Sequence, residues 1–381
     1  MTHVVYKKRQ GCIKYNMISL KGLVCIVLCK CYCNIFTTRL LENCRKPLPM
    51  SCECREKALP SSDSVYKIVP VTAATWHAEG PHWDPRKQAL YYVNTFSPTV
   101  FRLKDGILTH QQIGKAHSIG TVTPIDGTEN KFLITCDKAV WVLTWDGETN
   151  NSGFVDYSES IIDDLEPDKP RNQANDGKAD SLGRLWLGTL TRNLDLTVTE
   201  PGGSLFIIDE NGAAKVLLDS LTISNGIAWS KDEKRFFFVD SAVKDIKVFD
   251  CNVQNGTISN PKILFQLDNL SDISPSGIID GITIDSNDNL WIAIYRGGLV
   301  FQVDGKNGAV LKKIEMPVSG VTSLAFGGPN FDVLYATTSR HGLSKEALEK
   351  QPESGKVFAI TGLGVKGTPM NNYALKGKCS K

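Results

Sequence analysis

A six-residue segment of bulky apolar and aromatic residues occurs six times along the chain. The copies are residues 89–94, 131–136, 184–189, 235–240, 289–294 and 333–338. Their length and composition are typical of β-strands. Successive copies begin 42, 53, 51, 54 and 44 residues apart, which is the period of propeller blades and far longer than that of a hairpin. The repeat predicts an all-β fold, a six-bladed β-propeller with an N-terminal extension outside the propeller.

Each copy is followed by a second strand-like segment, so each repeat contains at least one hairpin. Turn residues precede several copies, as in 180–183, 230–233 and 285–288. The alternative folds are a β-sandwich or two small β-domains. Neither would repeat a unit of this length six times, and this favours the propeller.

The first 60 residues differ in composition from the rest. They carry 11 Lys and Arg against 3 acidic residues and eight of the eleven cysteines. We therefore divide the chain into a basic, Cys-rich extension, 1–60, which is a leader or a disordered segment, and a six-bladed propeller domain, 61–381. The apolar stretch 22–29 has the length of a signal-peptide core and is too short to span a bilayer.

Charge and cysteine content limit the classes of function and the compartment. No cluster of Lys and Arg follows residue 60, which excludes a nucleic-acid footprint. Only Cys136, Cys251 and Cys379 lie in the body, as expected in a reducing compartment. We predict a cytoplasmic protein, or a secreted or anchored one if the extension acts as a signal. A closed propeller needs no partner for stability, so we expect a monomer.

One polar residue lies 9 or 10 residues before each repeated strand, in a similar local pattern. The six are Glu79, Thr121, Asn175, Asn225, Asp280 and Ser323. If these segments are the innermost strands of six blades, the pseudo-rotational symmetry brings all six side chains to one axis. Thr121 and Ser323 are better explained as residues that cap strand ends or line a wet channel.

The carboxylates and amides among these six suggest a metal site. Glu79 and Asp280 would repel each other at the axis unless a cation lay between them. Carboxylate and amide oxygens suit Ca²⁺, Mg²⁺ or Mn²⁺, and Zn²⁺ is possible through oxygen ligands. His77 and His82 flank Glu79 and are assigned to the surroundings of the site or to the surface. The sequence has no His-Glu-x-x-His, Gly-x-Ser-x-Gly or phosphate-binding glycine loop.

Several ordered motifs are similar to those of the regucalcin, gluconolactonase and luciferin-regenerating enzyme family. They are Ala-Glu-Gly-Pro at 78–81, Asn-Asp-Gly-Lys at 175–178, Ser-Asn-Gly at 224–226, Ile-Asp-Gly at 279–281 and the tail 362–367. The resemblance runs from about residue 76 to residue 373. It implies a six-bladed propeller that binds one divalent metal ion, with Ca²⁺ expected first.

The resemblance also implies roles for particular residues. Glu79, Asn225 and Asp280 match the family's metal ligands, and Asp280 matches its proton donor and acceptor. Asn175 matches an asparagine near metal and substrate. Gln173 and Asn193 stand where many regucalcins have an arginine and a glutamate that contact a sugar lactone, so sugar specificity is expected to differ.

Three functions follow as hypotheses. The first is a metal-dependent, gluconolactonase-like hydrolase of carboxylic esters that acts on an aldonolactone or a similar small cyclic ester. The second is a regucalcin-like calcium-binding regulatory protein with little catalysis, since the fold alone does not fix the function. The third is a hydrolase of the luciferin-regenerating type.

Overall fold

A computed structural model of the chain describes residues 66–155, 159–198, 200–271 and 273–376. The predicted extension, 1–60, lies outside these residues, as does Cys379. No helix within the described ranges is long and apolar enough to cross a membrane.

The described chain is almost entirely β-structure. The strands are β1 (Lys67–Pro70), β2 (Ala78–Asp84), β3 (Ala89–Asn94), β4 (Thr99–Lys104), β5 (Ile107–Ile113), β6 (Ile119–Pro124), β7 (Lys131–Cys136), β8 (Ala139–Thr144), β9 (Asn151–Val155), β10 (Glu159–Ile162), β11 (Asn172–Ala179), β12 (Leu185–Thr191), β13 (Gly203–Ile208), β14 (Ala214–Leu221), β15 (Ser224–Trp229), β16 (Arg235–Asp240), β17 (Asp245–Asn252), β18 (Thr257–Gln266), β19 (Ile278–Ile284), β20 (Asn289–Tyr295), β21 (Leu299–Asp304), β22 (Val310–Glu315), β23 (Val321–Gly327), β24 (Val333–Thr338) and β25 (Phe358–Thr361). A 3₁₀-helix spans Leu267–Asn269 and a short α-helix, α1, spans Lys345–Lys350.

The strands form six antiparallel sheets, and these are the six predicted blades. In order they begin at β2, β6, β11, β15, β19 and β23, and each repeated segment of the sequence is the second strand of its blade. Blade 1 has a fifth strand, β9, which pairs in parallel with β5. The sequence therefore predicted the number of blades and their second strands correctly.

The last blade is completed by the start of the described chain. β1 pairs antiparallel with β25, with Lys67 opposite Thr361 and Pro70 opposite Phe358. This pairing ties the two ends of the propeller together through backbone hydrogen bonds. Residues far apart in sequence thus complete the sheet of blade 6, with β1 as its outermost strand, and close the ring.

Six apolar clusters fill the six interfaces between neighbouring blades. In the second strand of blade 1, Tyr91 and Val93 pack toward blade 2, whereas Leu90 and Tyr92 pack in the cluster shared with blade 6. Successive side chains of a strand point to opposite faces, and both faces of a blade are covered. This is why the repeated strands are apolar at nearly every position rather than at alternate positions.

The C-terminal tail, residues 362–376, crosses the end of the propeller at which the inner strands finish, here called the lower face. Gly367 bridges to Asp285, Asn371 to Ala179, and Tyr373 lies beside Ile125. Tyr373 is fully buried in the cluster between blades 2 and 3. The tail therefore covers the lower face, and the upper face, where the inner strands begin, carries the polar ring described next.

Candidate metal and substrate site

Every innermost strand is interrupted by a β-bulge where the sequence predicted the polar ring. The register with the second strand shifts by one residue in all six blades, between Glu79 and His82, Ile119 and Thr121, Ala174 and Gly177, Ser224 and Ile227, Ile279 and Ile282, and Val321 and Leu324. A bulge bends the strand and redirects its side chains. The six polar residues lie at or within these bulges, so the fold brings equivalent positions to the upper end of the axis.

Glycines at the bulges allow neighbouring inner strands to approach closely. A Cβ on Gly226 would lie 2.7 Å from the backbone oxygen of Asp280, and a Cβ on Gly281 would lie 2.1 Å from Ser323 Oγ. Gly80 has a φ of 56°, in the left-handed region that favours glycine. The glycine that follows each of Glu79, Asn225 and Asp280 is therefore required by space or by backbone conformation.

Asn225 and Asp280, from blades 4 and 5, are joined directly. Asn225 Nδ2 donates to Asp280 Oδ1 at 2.5 Å and also to Ser241 Oγ at 3.0 Å. Both side chains are buried, with 5% and 6% of their surface exposed. The strand order alone would not fix this contact, because it depends on the bulges of two adjacent blades.

Glu79, from blade 1, is close enough to Asp280 and Asp176 for their charges to affect its pKa. Burial raises the pKa of Glu79 well above its usual range, and the charges of Asp280 and Asp176 raise it further. The pKa of Asp280 is also well above its usual range, mainly because of burial and secondly because of the charge of Asp176. The hydrogen bond from Asn225 lowers this pKa but offsets only part of the increase. Three carboxyl groups thus share a buried region.

This arrangement fits a divalent cation held by oxygen ligands. Each of the two raised pKa values is lowered by one hydrogen bond. The Gly80 backbone N–H donates to Glu79, and Asn225 donates to Asp280. Within the described ranges no three His, Cys, Asp or Glu side chains are placed to hold a metal by themselves. A donor set at this position would therefore include the Asn225 amide beside the carboxylates, and all of these are hard oxygen donors.

Asp176 and Lys178 belong to this region, although sequence analysis did not select them. Lys178 Nζ donates to the backbone oxygens of Ile227 at 2.8 Å and Ile282 at 3.0 Å, so its ammonium group lies among the inner strands of blades 3, 4 and 5. Burial lowers the pKa of Lys178, and the charge of Asp176 opposes this. Their position one and three residues after Asn175, within the bulged strand, is the signal that would have identified them.

The residues predicted to bind substrate lie in blade 3 and have different surroundings. Asn175 Nδ2 donates to the Ser224 backbone oxygen at 3.0 Å. Gln173 Oε1 accepts a hydrogen bond from Arg192 Nε at 2.9 Å. Asn193 Oδ1 accepts one from the exposed Arg171 at 2.7 Å. A guanidinium group is therefore present beside Gln173 after all, supplied by Arg192.

Thr121 and Ser323, the two hydroxyl members of the ring, make contacts within their own blades. Thr121 Oγ1 lies 3.1 Å from Thr135 Oγ1, and the Ser323 backbone N–H donates to Thr337 Oγ1 at 3.0 Å. Both residues are buried. These contacts tie each residue to the second strand of its own blade.

A group of aromatic and basic side chains adjoins Glu79 on the upper face, and we call it the rim. It consists of His77, Phe96, Arg192, Tyr295 and His341. The ring centroids of His77 and His341 each lie 4.9 Å from that of Phe96, and the Arg192 guanidinium lies 5.1 Å above the Phe96 ring. His77 Nε2 lies 4.0 Å from Glu79 Oε1. His82, in contrast, is buried farther along β2.

Sequence analysis missed most of the rim because its members do not occupy equivalent positions in the repeat. Phe96, Arg192 and His341 follow the second strands of blades 1, 3 and 6, and Tyr295 ends that of blade 5. Connections after second strands lie at the upper face in every blade. Inspection of those connections for aromatic and basic residues would have indicated a rim.

Comparisons with known proteins agree with this architecture. Residues 77–340 match the family model described as SMP-30/Gluconolactonase/LRE-like region. Regucalcin from Sus scrofa is 37% identical over 297 residues, which cover 78% of this chain and 94% of the relative.

Two solved structures are similar over most of the chain. The luciferin-regenerating enzyme has 31% sequence identity and a TM-score of 0.74, over 81% of this chain and 100% of that one. A calcium-binding protein, regucalcin from Agrobacterium tumefaciens, has 22% identity and a TM-score of 0.68, over 81% of this chain and 96% of that one, and supports the fold alone. The chain belongs to the SMP-30/gluconolactonase/LRE-like family.

Proposed function

We propose that the protein is a metal-dependent lactone hydrolase of the gluconolactonase type, acting on an aldonolactone or a similar small cyclic ester. The observation that carries the proposal is the meeting of Glu79, Asn225 and Asp280 at three bulges on the upper face. Asp280 is buried and Glu79 is partly buried. The charge of Asp280 raises the pKa of Glu79, and the charge of Asp176 raises the pKa of both carboxyl groups. Membership of a family whose description includes gluconolactonase supports the reaction class.

Glu79, Asn225 and Asp280 would hold one divalent cation, and Asn175 would lie beside it toward the substrate. When bound, the cation supplies a Lewis acid that polarises the ester carbonyl. Ca²⁺ is the first expectation because the donors are oxygens only, and Zn²⁺, Mn²⁺ and Mg²⁺ are the alternatives.

Asp280 is the proposed proton acceptor and donor. As water attacks the carbonyl carbon, its proton passes to an Asp280 oxygen, and the ring C–O bond then breaks. The same proton passes to the leaving alkoxide, so that the product is an open-chain hydroxy acid. Asn225, bonded to Asp280 Oδ1, would fix the orientation of the carboxyl group.

The experiment that tests the proposal is hydrolysis of D-glucono-δ-lactone by the full chain. The protein is stripped of metal with a chelator and resupplied separately with Ca²⁺, Zn²⁺, Mn²⁺ or Mg²⁺. Turnover that disappears with the chelator and returns with one ion supports the proposal. Metal binding without hydrolysis of any lactone would contradict it.

A second candidate function is calcium binding with little catalysis. The name of the regucalcin relatives and the oxygen-only donor set favour it. Titration calorimetry with Ca²⁺, run beside the hydrolysis assay, distinguishes the two functions. A third candidate, hydrolysis of a heteroaromatic substrate, is favoured by the aromatic side chains of the rim and by the similarity to the luciferin-regenerating enzyme.

A further inference from the structure

Arg192 is held over the upper face by contacts on several sides. Its Nε donates to Gln173 Oε1 at 2.9 Å and its Nη1 donates to the Leu196 backbone oxygen at 2.9 Å. The guanidinium plane lies against Phe96, at 5.1 Å from the ring centroid. These contacts hold the side chain beside the candidate site instead of leaving it extended into solvent.

The charge of Arg192 is not offset by an acidic partner. No carboxylate within the described ranges forms an ion pair with it, whereas its neighbour Arg171 pairs with Glu200. Arg192 is partly buried, and burial lowers its pKa. A partly desolvated cation without a counterion is costly, and its usual partner is an anion.

The other rim residues do not supply that anion. His77 and His341 are basic side chains, and Phe96 and Tyr295 are uncharged near neutral pH. His77 is the rim residue nearest Glu79 in sequence, with its Nδ1 2.7 Å from Ser339 Oγ and its Nε2 4.0 Å from Glu79 Oε1. The rim is thus a surface of mutually tilted aromatic rings. The partly buried Arg192 lies over Phe96 and the exposed Arg296 over Tyr295, next to two acidic residues proposed as metal ligands.

We propose that the substrate is an anionic lactone, which carries a carboxylate that pairs with Arg192 while its ring ester lies at Asp280. The inference rests on the proposed function, because it names the substrate class of the same site. Guanidinium groups bind carboxylates through short, charge-assisted hydrogen bonds. Nη2 of Arg192 makes no hydrogen bond to a described residue and is the group that would receive the carboxylate.

A neutral polyhydroxy lactone satisfies this site less well. A sugar hydroxyl can accept a hydrogen bond from the guanidinium but brings no charge to offset it. Arg192 is therefore the residue that distinguishes an anionic from a neutral lactone.

The test compares two lactones with the same five-membered ring. D-Glucono-1,4-lactone ends in a hydroxymethyl group, and D-glucaro-1,4-lactone carries a carboxylate in its place. We expect the wild-type full chain, with its activating metal, to show kcat/KM about 10-fold or more higher for the anionic lactone. Arg192→Gln should lower kcat/KM for the anionic lactone about 10-fold more than for the neutral lactone, and so remove most of that preference. Arg192→Lys should retain part of the preference, because the charge remains.

The matched control is Lys215→Gln, which removes one positive charge from the exposed outer strand of the same blade. It should leave both kcat/KM values unchanged, and thermal unfolding of each variant verifies that it is folded. Wild-type protein that hydrolyses both lactones equally, or an Arg192→Gln variant that loses both activities in proportion, would overturn the inference and leave the lactonase proposal intact. Hydrolysis of neither lactone with any metal would overturn both.

Discussion

Asn225 donates a hydrogen bond to Asp280 across the boundary between blades 4 and 5, from Nδ2 to Oδ1 over 2.5 Å. The two residues occupy equivalent positions in consecutive bulges, 55 residues apart. The contact links a candidate metal ligand to the proposed proton carrier. A change in one residue is therefore expected to affect the orientation of the other.

Replacement of Asp280 by Asn should abolish hydrolysis while preserving the fold. The amide has nearly the same size but cannot accept a proton from water, so we expect kcat to fall by about 100-fold to 10,000-fold. Lactone hydrolysis and thermal unfolding measure the two effects. Ser323→Ala, in the same ring and assigned to strand capping, is the matched control and should retain activity. Equal turnover in wild type and Asp280→Asn would refute the assignment of the proton carrier.

Replacement of Glu79 by Gln should weaken metal binding and stabilise the metal-free protein. The charges of Asp280 and Asp176 raise the pKa of the partly buried Glu79 carboxyl group, so replacement of that group by a neutral amide relieves the repulsion. Saturation of the wild type at about 100 times Kd should add about 2.7 kcal/mol to the free energy of unfolding. Melting curves with chelator and with Ca²⁺ measure both effects. An unchanged calcium-induced shift in Glu79→Gln would show that Glu79 is not a ligand.

Replacement of Glu166 by Gln should lower the free energy of unfolding at neutral pH and change it little at acidic pH. Burial alone would raise the pKa of Glu166, but hydrogen bonds from Lys169 Nζ at 2.8 Å and Asn172 Nδ2 at 2.9 Å lower it. A carboxylate whose pKa is lower in the folded than in the unfolded state contributes stability above the unfolded value of about 4.3, and the contribution is lost as the pH falls.

We therefore expect Glu166→Gln to lower the free energy of unfolding by about 1–3 kcal/mol at pH 7, with the difference narrowing below about pH 4. Urea unfolding at a series of pH values measures it. Glu349→Gln, at an exposed position of α1, should show no comparable difference. A difference that stays constant between pH 7 and pH 3 would argue against the ionised hydrogen-bonded carboxylate.

Replacement of Tyr373 by Ala should test the contribution of the C-terminal tail. The ring is fully buried between blades 2 and 3, and its hydroxyl donates to the Asp209 backbone oxygen. We expect Tyr373→Ala to cost about 3–5 kcal/mol through the cavity it leaves. Tyr373→Phe removes only the hydrogen bond and should cost about 0.5–1.5 kcal/mol. Equal effects of both substitutions in urea unfolding would contradict this account of the packing.

The sequence determined the architecture because a propeller is built from repeats. A strand that is covered on both faces must be apolar throughout, so the six second strands are visible without alignment or structure. Equivalent positions in a rotational repeat lie around one axis. This argument selected Glu79, Asn225 and Asp280 from the sequence alone. The structure then brings Asn225 into contact with Asp280 and places Glu79 within reach of its charge.

Only the tertiary structure decided the parts that do not follow the repeat. The pairing of β1 with β25, the parallel strand β9 and the tail across the lower face depend on single connections with no counterpart in other blades. The position of Arg192 does not follow from the repeat either. Its guanidinium lies beside Gln173, the position at which the family resemblance indicated that an arginine had been replaced. A linear pattern records which residue stands at a position, whereas the chemistry of a site depends on which side chains reach it in space.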